Sequence, residues 1–203
     1  TSGEQVTIGL LSAELKNKGI KSIPLLGWQI PIITDDSHEK AKILHIDNKR
    51  IEKFFEKNDV IVLAGFQGIS LDGEITSLGR GGSDTTAVAI ASSVGAKRCD
   101  IYTDVDGVYT TDPKIDQNAK KISKLSYEEM LEMASTGSKV LHTRSVELAM
   151  KNNLTLQVLS SLTKETGTFI VDEKKLIEKE IVSGVSYSKN EAKVTISGIL
   201  DKP

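Results

Sequence analysis

The stretch Thr76-Ser77-Leu78-Gly79-Arg80-Gly81-Gly82-Ser83-Asp84-Thr85-Thr86-Ala87 is a glycine-rich loop that leads directly into a run of good helix formers. Unpaired backbone N–H groups and the helix dipole make such a helix start a binding site for anions. Arg80 adds a planar, permanently charged guanidinium that suits a carboxylate or a phosphate. The alternative is a plain tight turn in which Ser83 or Asp84 caps the helix.

The chain on both sides of this loop alternates between helix-like and strand-like segments. This order predicts an α/β fold with an open, mainly parallel sheet sandwiched by helices. The predicted helices are 4–18, 48–57, 85–94, 126–134 and 140–152, and the predicted strands are 22–26, 43–46, 60–64, 100–103, 156–159 and 168–171, with 28–33 as a loop or strand.

Residues 60–64 carry apolar side chains on both faces, which is typical of a central parallel strand covered by helices on each side. The strand ends in Gly65-Phe66-Gln67-Gly68, at the carboxyl edge where open α/β sheets bind their ligands. The helix at 48–57 is expected to bury Ile51, Phe54 and Phe55. Gly19 and Gly95 are the expected caps of the helices that precede them.

The bulk composition excludes several classes of protein. A net charge of -2 gives no electrostatic footprint for nucleic acid. No apolar run approaches the roughly 20 residues that a membrane-spanning helix needs. The single cysteine, Cys99, cannot form an internal disulfide, which favours a reducing, cytoplasmic setting, and its apolar neighbours predict a packing role.

The glycine-marked junctions of a parallel sheet gather along one edge, so they are expected to form one cleft. One half would offer Glu4, Arg80 and Ser83, and it would suit a zwitterionic amino acid, because Glu4 can accept from an ammonium group while Arg80 clamps a carboxylate. Asp84 could orient Arg80 or a catalytic lysine, or lie near Mg²⁺. The other half would suit a nucleotide, and its candidate residues are Thr103, Asp104, Tyr109, Lys114 and Lys139.

Structural roles remain open for several of these residues. Lys139 could be a solvated helix start, and Tyr109 could serve in packing. The histidines His38, His45 and His142 show no metal-ligand spacing, so no metal ligand is assigned. The chain also contains neither a P-loop nor a nucleophile elbow.

Taken together, the ordered motifs resemble the signatures of the aspartate kinases, a branch of the amino acid kinase superfamily. The resemblance covers residues 1 to about 171. Its motifs are Ser2-Gly3-Glu4, Gly65-Phe66-Gln67-Gly68, the 76–84 loop, Thr103-Asp104-Val105-Asp106-Gly107-Val108-Tyr109-Thr110-Thr111-Asp112-Pro113 and Gly137-Ser138-Lys139-Val140-Leu141-His142.

The resemblance implies transfer of the ATP γ-phosphoryl group to the β-carboxylate of L-aspartate, with Mg²⁺ as cofactor. By motif position, Glu4 would bind the amino group and Arg80 the carboxylate, with Phe66 and Ser83 lining the pocket. Arg80 and Asp84 are the catalytic candidates. The residues that would hold ATP are Thr103, Asp104, Tyr109, Lys114, which replaces a frequent arginine, and Lys139.

The resemblance also implies three parts: a kinase domain at 1–172, a linker at 173–180 and, at 181–203, the beginning of an ACT regulatory domain. A Lys-Phe-Gly-Gly loop that the family places upstream of Thr1 is missing, so these residues alone are expected to have little activity. Feedback by lysine or threonine and a homodimer or higher homo-oligomer are expected. The alternatives are another amino acid kinase and a non-catalytic regulatory subunit of aspartate kinase.

Overall fold

The computed structural model describes residues 1–137, 140–176 and 182–186, and it confirms the α/β class. Its helices are α1 (Ser2–Asn17), α2 (Asn48–Phe55), α3 (Gly82–Ser93), α4 (Tyr127–Thr136) and α5 (Thr143–Lys151). Its strands are β1 (Ser22–Leu25), β2 (Ile32–Thr34), β3 (Ile43–Ile46), β4 (Val60–Leu63), β5 (Gln67–Ser70), β6 (Ile75–Ser77), β7 (Arg98–Thr103), β8 (Lys124–Ser126), β9 (Thr155–Ser160) and β10 (Thr168–Val171).

The strands are hydrogen-bonded in three groups, in the orders β1-β4, β3-β2-β5-β6 and β7-β9-β10-β8. The pairs β1–β4, β2–β5, β7–β9 and β8–β10 are parallel. The pairs β2–β3, β5–β6 and β9–β10 are antiparallel. Parallel pairing therefore predominates, as expected, while the antiparallel pairs lie beside it in the two larger groups.

Helices cover both faces of β4, as its two-sided apolar sequence predicts. On one face, Val62 packs against Ile8 of α1. On the other face, Ile61 and Leu63 join a cluster that contains Ile51 of α2. Since α1 runs antiparallel to β4, its N-terminal turn lies toward the carboxyl end of the strand.

The largest apolar core lies between one face of the β7-β9-β10-β8 group and the helices α3, α4 and α5. Leu156 and Val158 of β9 are fully buried there, together with Met130 of α4 and Val146 of α5. Side chains alternate across a strand, so the intervening residues of β7 point the other way. Tyr102 on that opposite face is 64% exposed, so the helices cover this part of the sheet on one side within the described ranges.

Two helices end in the glycine caps that the sequence predicts. Gly19 follows α1 with φ of 80°, and the N–H of Ile20 donates to the carbonyl of Leu15 at 2.9 Å. Gly95 follows α3 with φ of 63°, and the N–H of Ala96 donates to the carbonyl of Ala91 at 2.8 Å. Both patterns are Schellman motifs, in which glycine adopts the left-handed conformation without a steric penalty.

Some sequence-based expectations are wrong in detail. Residues 67–68 and 76–77, interpreted as loops, belong to the β5–β6 hairpin, whose connection contains Asp72-Gly73. Phe55 is 50% exposed rather than buried, and Ile51 is the fully buried residue of α2. The short strand β8 was not predicted, and α3 begins at Gly82 instead of Thr85.

Cys99 is buried in the core, as expected, and burial raises the pKa of its thiol to about 11. At pH 8 only about one thiol in a thousand would be ionised, so we expect Cys99 to react slowly with an aromatic disulfide reagent. Unfolding in guanidinium chloride should make the reaction fast. Rapid labelling of the folded protein at pH 8 would show that the thiol is accessible.

After β10 the chain forms a 3-10 turn at Glu173–Lys175, within the predicted linker. Residues 182–186 lie in neither helix nor strand, and the N–H of Val185 donates to the carbonyl of Thr110 at 2.7 Å. Residues 177–181 and 187–203 lie outside the described residues, so the ACT domain stays a prediction. Throughout the described ranges, every helix is too short or too polar to cross a membrane.

Candidate active site

The loop after β4 and the start of α3 lie against each other. A Cβ added to Gly65 would stand 3.4 Å from Ser83 Cα, and one added to Gly82 would stand 2.9 Å from Phe66 Cδ2. The N–H of Phe66 donates to Thr86 Oγ1 at 3.1 Å. The structure therefore brings Phe66 and Ser83 together, as two of the sequence motifs predict.

Phe66 has a positive φ of 69°, a strained conformation for an aromatic residue. Its carbonyl accepts from the N–H of Leu78 at 2.9 Å, which ties it to the strand that enters the Arg80 loop. Strain of this kind persists where the surroundings fix the backbone, and it is common at binding sites. It turns the Phe66 side chain towards Gly82.

Helix α3 begins without a side-chain cap. Its N-cap is Gly81, in the left-handed conformation with φ of 70°, and both Ser83 and Asp84 lie inside the first turn. The alternative in which Ser83 or Asp84 caps the helix is therefore wrong. The first-turn N–H groups of this 12-residue helix are left without a side-chain acceptor at the N-cap, which suits them to an anionic ligand.

Arg80 stands next to this helix start with an exposed side chain. Within the described part of the chain, its guanidinium forms no salt bridge. A fixed loop thus presents a charged fork that no carboxylate of the described chain neutralises. Such an arrangement is suited to clamping a carboxylate of a ligand.

Glu4 lies in the first turn of α1, one helical turn before Ile8. Ile8 packs against Val62 and Ala64, and Ser12, one turn further on, bonds Ser22 Oγ at 2.8 Å. The direction of α1 therefore places Glu4 beyond Ala64, towards the loop that begins at Gly65. Glu4 and the Phe66 loop thus share one end of the β1–β4 pair.

Asp84 is half-buried beside the first turn of α5. Burial raises the pKa of the Asp84 carboxyl above its ordinary value, and the charge of His142 opposes this rise. A Cβ on Gly81 would lie 2.4 Å from His142 Cβ and Cγ, so His142 directly contacts the loop. His142 therefore lies next to the candidate site, where it packs against the loop.

The second half of the predicted cleft begins at the end of β7. Thr103 Oγ1 donates to Asp104 Oδ1 at 3.1 Å. Helix α3 leads through a short turn into β7 and packs on it, so the start of α3 and the end of β7 lie at the same edge. Thr103 and Asp104 therefore face the same edge as Arg80.

Tyr109 belongs to a polar network that the sequence did not reveal. Its hydroxyl donates to Asp106 at 3.0 Å, and Lys121 Nζ donates to the same carboxylate at 3.2 Å and also pairs with Glu165. Desolvation alone would raise the pKa of Asp106, but the hydrogen bonds from Tyr109 and Lys121 hold it below its ordinary value. Because its one hydroxyl proton is donated to Asp106, Tyr109 could offer a nucleotide its ring or an accepting lone pair, but not a hydrogen-bond donor.

Of the two lysines predicted to bind the nucleotide, the structure describes one. Lys114 is exposed, and its N–H donates to Asp112 Oδ1 at 2.9 Å in a tight turn. Lys139 lies outside the described residues, so its placement stays a prediction. In the described ranges no three His, Cys, Asp or Glu residues come together as metal ligands.

Comparisons with known proteins agree with this architecture. The sequence profile of the Amino acid kinase family matches residues 1–160. An aspartate kinase of Pseudomonas putida is 51% identical over 204 residues, covering 100% of this chain and 50% of the relative. The chain thus spans about half the length of the curated relatives it matches.

Solved structures show the same fold. E. coli aspartokinase III in complex with aspartate and ADP (R-state) has a TM-score of 0.75 at 30% identity, covering 84% of this chain and 39% of that one. The same enzyme in complex with lysine and aspartate (T-state) has a TM-score of 0.74 at 30% identity, covering 85% and 40%. With a family profile that matches most of its residues and the fold of these enzymes, the chain belongs to the amino acid kinase family.

Proposed function

We propose that the protein containing this chain is an aspartate kinase, which transfers the ATP γ-phosphoryl group to the β-carboxylate of L-aspartate. The observation that carries the proposal is the start of α3, which has no side-chain cap, carries Ser83, and lies between Arg80 and Phe66. Relatives about 50% identical over the whole chain are named aspartate kinase or aspartokinase, which supports this acceptor.

Aspartate would be held by opposite charges at its two ends. Arg80 would clamp a carboxylate through two charge-assisted hydrogen bonds, and the N–H groups at the start of α3 would add positive potential. Glu4, placed towards the same end of the sheet, would accept from the ammonium group. Phe66 and Ser83 would form the wall between them.

ATP would lie along the edge that begins at Thr103 and Asp104, with the ring of Tyr109 beside the base. Lys114 and Lys139 would supply positive charge for the phosphates. Two anions that are aligned in this way can react by direct in-line transfer, so no covalent intermediate with the enzyme is required. Asp84, half-buried at the start of α3, would orient the charged groups around the transfer.

Mg²⁺ would enter with ATP. The described residues form no cluster of three carboxylates or imidazoles, so they do not make a complete protein site for the ion. Magnesium in kinases is held by one or two carboxylates and by the substrate phosphates. This donor set fits an ion carried mainly by the nucleotide, with Asp84 or Asp104 as candidate carboxylates.

Feedback control by lysine is the proposed regulation, since E. coli aspartokinase III has been solved with lysine and aspartate. The ACT segment predicted at 181–203 would belong to the effector region, and a homo-oligomer would form around it. A non-catalytic regulatory subunit is the alternative. Turnover by the complete gene product would exclude that alternative.

An acceptor screen tests the proposal. The complete gene product is incubated with MgATP and, separately, with aspartate, glutamate, N-acetylglutamate or uridylate, and ADP release is followed by a coupled assay. We expect turnover with aspartate at least about 100-fold faster than with glutamate, because an extra methylene displaces the reacting carboxylate from its aligned position. Preference for another acceptor would contradict the proposal.

Gly81 offers a test of the loop itself. Gly81→Ala places a methyl group at φ of 70° and 2.4 Å from His142, whereas Gly95→Ala places one at φ of 63° with nothing within 4 Å. The left-handed conformation should cost each variant about 1 to 2 kcal/mol of stability, and the clash with His142 should add to that cost in Gly81→Ala. Only Gly81→Ala should also lower kcat/KM for aspartate, by at least about tenfold. Steady-state kinetics measure the activity, and urea unfolding measures the stability of each variant. Equal effects on activity would contradict the placement of the site.

A further inference from the structure

The first turn of α5 holds the Arg80 loop from one side. Arg144 Nη1 donates to the carbonyl of Leu78 at 3.0 Å, and Nη2 donates to the carbonyl of Ala41 at 2.7 Å. Leu78 is 2% exposed and Ala41 is fully buried. Their carbonyls therefore have little access to water, so the two charge-assisted bonds would not be replaced cheaply if Arg144 were removed.

The two carbonyls belong to segments that are already joined. The N–H of Ala41 donates to the carbonyl of Ser77 at 3.0 Å, immediately before Leu78. The loop that carries Ala41 is closed by Asp35, whose Oδ1 accepts from the N–H of Lys42 at 3.0 Å. Arg144 therefore bridges a fixed junction rather than two mobile ends.

A second contact lies on the other side of Arg80. His142, the N-cap of α5, packs directly on Gly81, and its Nδ1 accepts from the N–H of Arg144 at 3.4 Å. One helical turn thus touches Leu78, two residues before Arg80, and Gly81, the residue after it. On the remaining side, a Cβ on Gly79 would lie 2.2 Å from the carbonyl oxygen of Glu39, so the Glu39 segment packs closely against the loop backbone.

We propose that Arg144 is a positioning residue for the aspartate site and acts by fixing the loop that presents Arg80. This inference rests on the proposed function for its substrate. Since Arg80 forms no salt bridge within the described ranges, the direction of its guanidinium depends on the backbone on either side. A clamped backbone reduces the ordering that aspartate must impose when it binds.

The chemistry requires arginine at position 144. Its planar guanidinium directs separate N–H groups at Leu78 and Ala41 at the same time, whereas a lysine ammonium is a single compact charge on a flexible stem. Lysine can keep the charge and one hydrogen bond but not the fixed fork. The variant Arg144→Lys therefore removes the clamp with little change in charge.

The kinetic test uses the complete gene product with Arg144→Lys. We expect the KM for aspartate to rise about tenfold while the KM for ATP changes less than about twofold, since the loop carries Arg80 and Ser83 of the proposed aspartate pocket and no residue proposed to bind ATP. The matched control is Arg98→Lys, which loses a two-nitrogen contact with Asp100 on the exposed face of β7 and should leave both constants unchanged. An equal rise in both KM values for Arg144→Lys would overturn the proposal.

A double-mutant cycle separates positioning from general damage. In an Arg80→Gln background, Arg144→Lys should change the KM for aspartate less than about twofold, because the group that it positions is already gone. A rise of about tenfold in that background as well would show that Arg144 does not act through Arg80. Thermal unfolding of each variant confirms that the fold is intact.

Hydrogen exchange tests, without any substrate, whether Arg144 holds the loop in place. Arg144→Lys should speed amide exchange at residues 79–82 at least about tenfold and leave the core strands β9 and β10 unchanged. Unchanged exchange at this loop would overturn the clamp even in an active aspartate kinase. If the protein phosphorylates another acceptor, faster exchange would still support the clamp, while the proposed function would fail.

Discussion

Arg80→Gln should lower kcat/KM for aspartate by about 100- to 1,000-fold, because it removes a bidentate, charge-assisted contact worth about 3 to 4 kcal/mol. Glutamine keeps the first three carbons and a polar group, but it is two bonds shorter and lacks the charge and the guanidinium fork. The KM for ATP should stay within about threefold, since Arg80 lies on the amino-acid side of the site. Steady-state kinetics with each substrate varied in turn measure both constants.

The matched control is Arg50→Gln, which removes an exposed arginine from α2. It makes the net charge more negative by the same amount without touching the loop, so both constants should match those of the unmodified protein. Equal losses in the two variants would mean that general charge matters rather than a clamp at position 80. A kcat/KM for Arg80→Gln within threefold of the unmodified value would remove Arg80 from the site.

Leu156→Ala should lower the free energy of unfolding by about 3 kcal/mol, the usual cost of truncating a buried leucine. Leu156 is fully buried on β9, between β7 and β10, and belongs to the core that α3, α4 and α5 cover. Urea unfolding measures the change. The midpoint of thermal unfolding should fall by about 6 to 12 °C for a chain of this size.

Leu162→Ala is the control for this experiment. Leu162 follows the same strand but is 84% exposed, so its truncation should change the free energy of unfolding by less than about 0.5 kcal/mol. If the two variants lost equal stability, the burial of β9 would be contradicted. If neither did, the core would lie elsewhere in the molecule.

Elements with strong local signals were predictable from the sequence. The helix predicted from residue 126 begins with a capping box, in which Ser126 Oγ accepts from the N–H of Glu129 and the Glu129 carboxylate accepts from the N–H of Ser126. The two glycine caps likewise depend on residues within one helical turn. The β5–β6 hairpin was not predicted, because Gln67 and Gly68 have a low intrinsic preference for strands. In the structure, pairing with β2 and β6 overrides that local preference.

The candidate site was predictable only where a rule of topology connects distant segments. A parallel fold is expected to gather its glycine-marked junctions at one edge, and the Phe66 loop and the start of α3 do lie together, although β6, the strand that leads into α3, pairs antiparallel with β5. No comparable rule connects Arg144 to Leu78, 66 residues earlier, or to Ala41, 103 residues earlier. Such contacts depend on how α5 packs, which the sequence alone does not specify.

The network around Tyr109 was missed for a similar reason. Lys121 and Glu165 are 44 residues apart, and both look like ordinary surface charges in the sequence. They meet because the segment after β9 returns beside the segment before β8. Long-range pairing of this kind appears only when the order of strands is known.

The most direct test of the central claim is the chemical identity of the product. The complete gene product is incubated with MgATP, L-aspartate and hydroxylamine, which converts an acyl phosphate into a stable hydroxamate, and the mixture is analysed by mass spectrometry. The account predicts the β-hydroxamate of aspartate, formed in proportion to ADP and strongly reduced in Arg80→Gln. ATP consumption without this hydroxamate, or the same yield from Arg80→Gln, would contradict it.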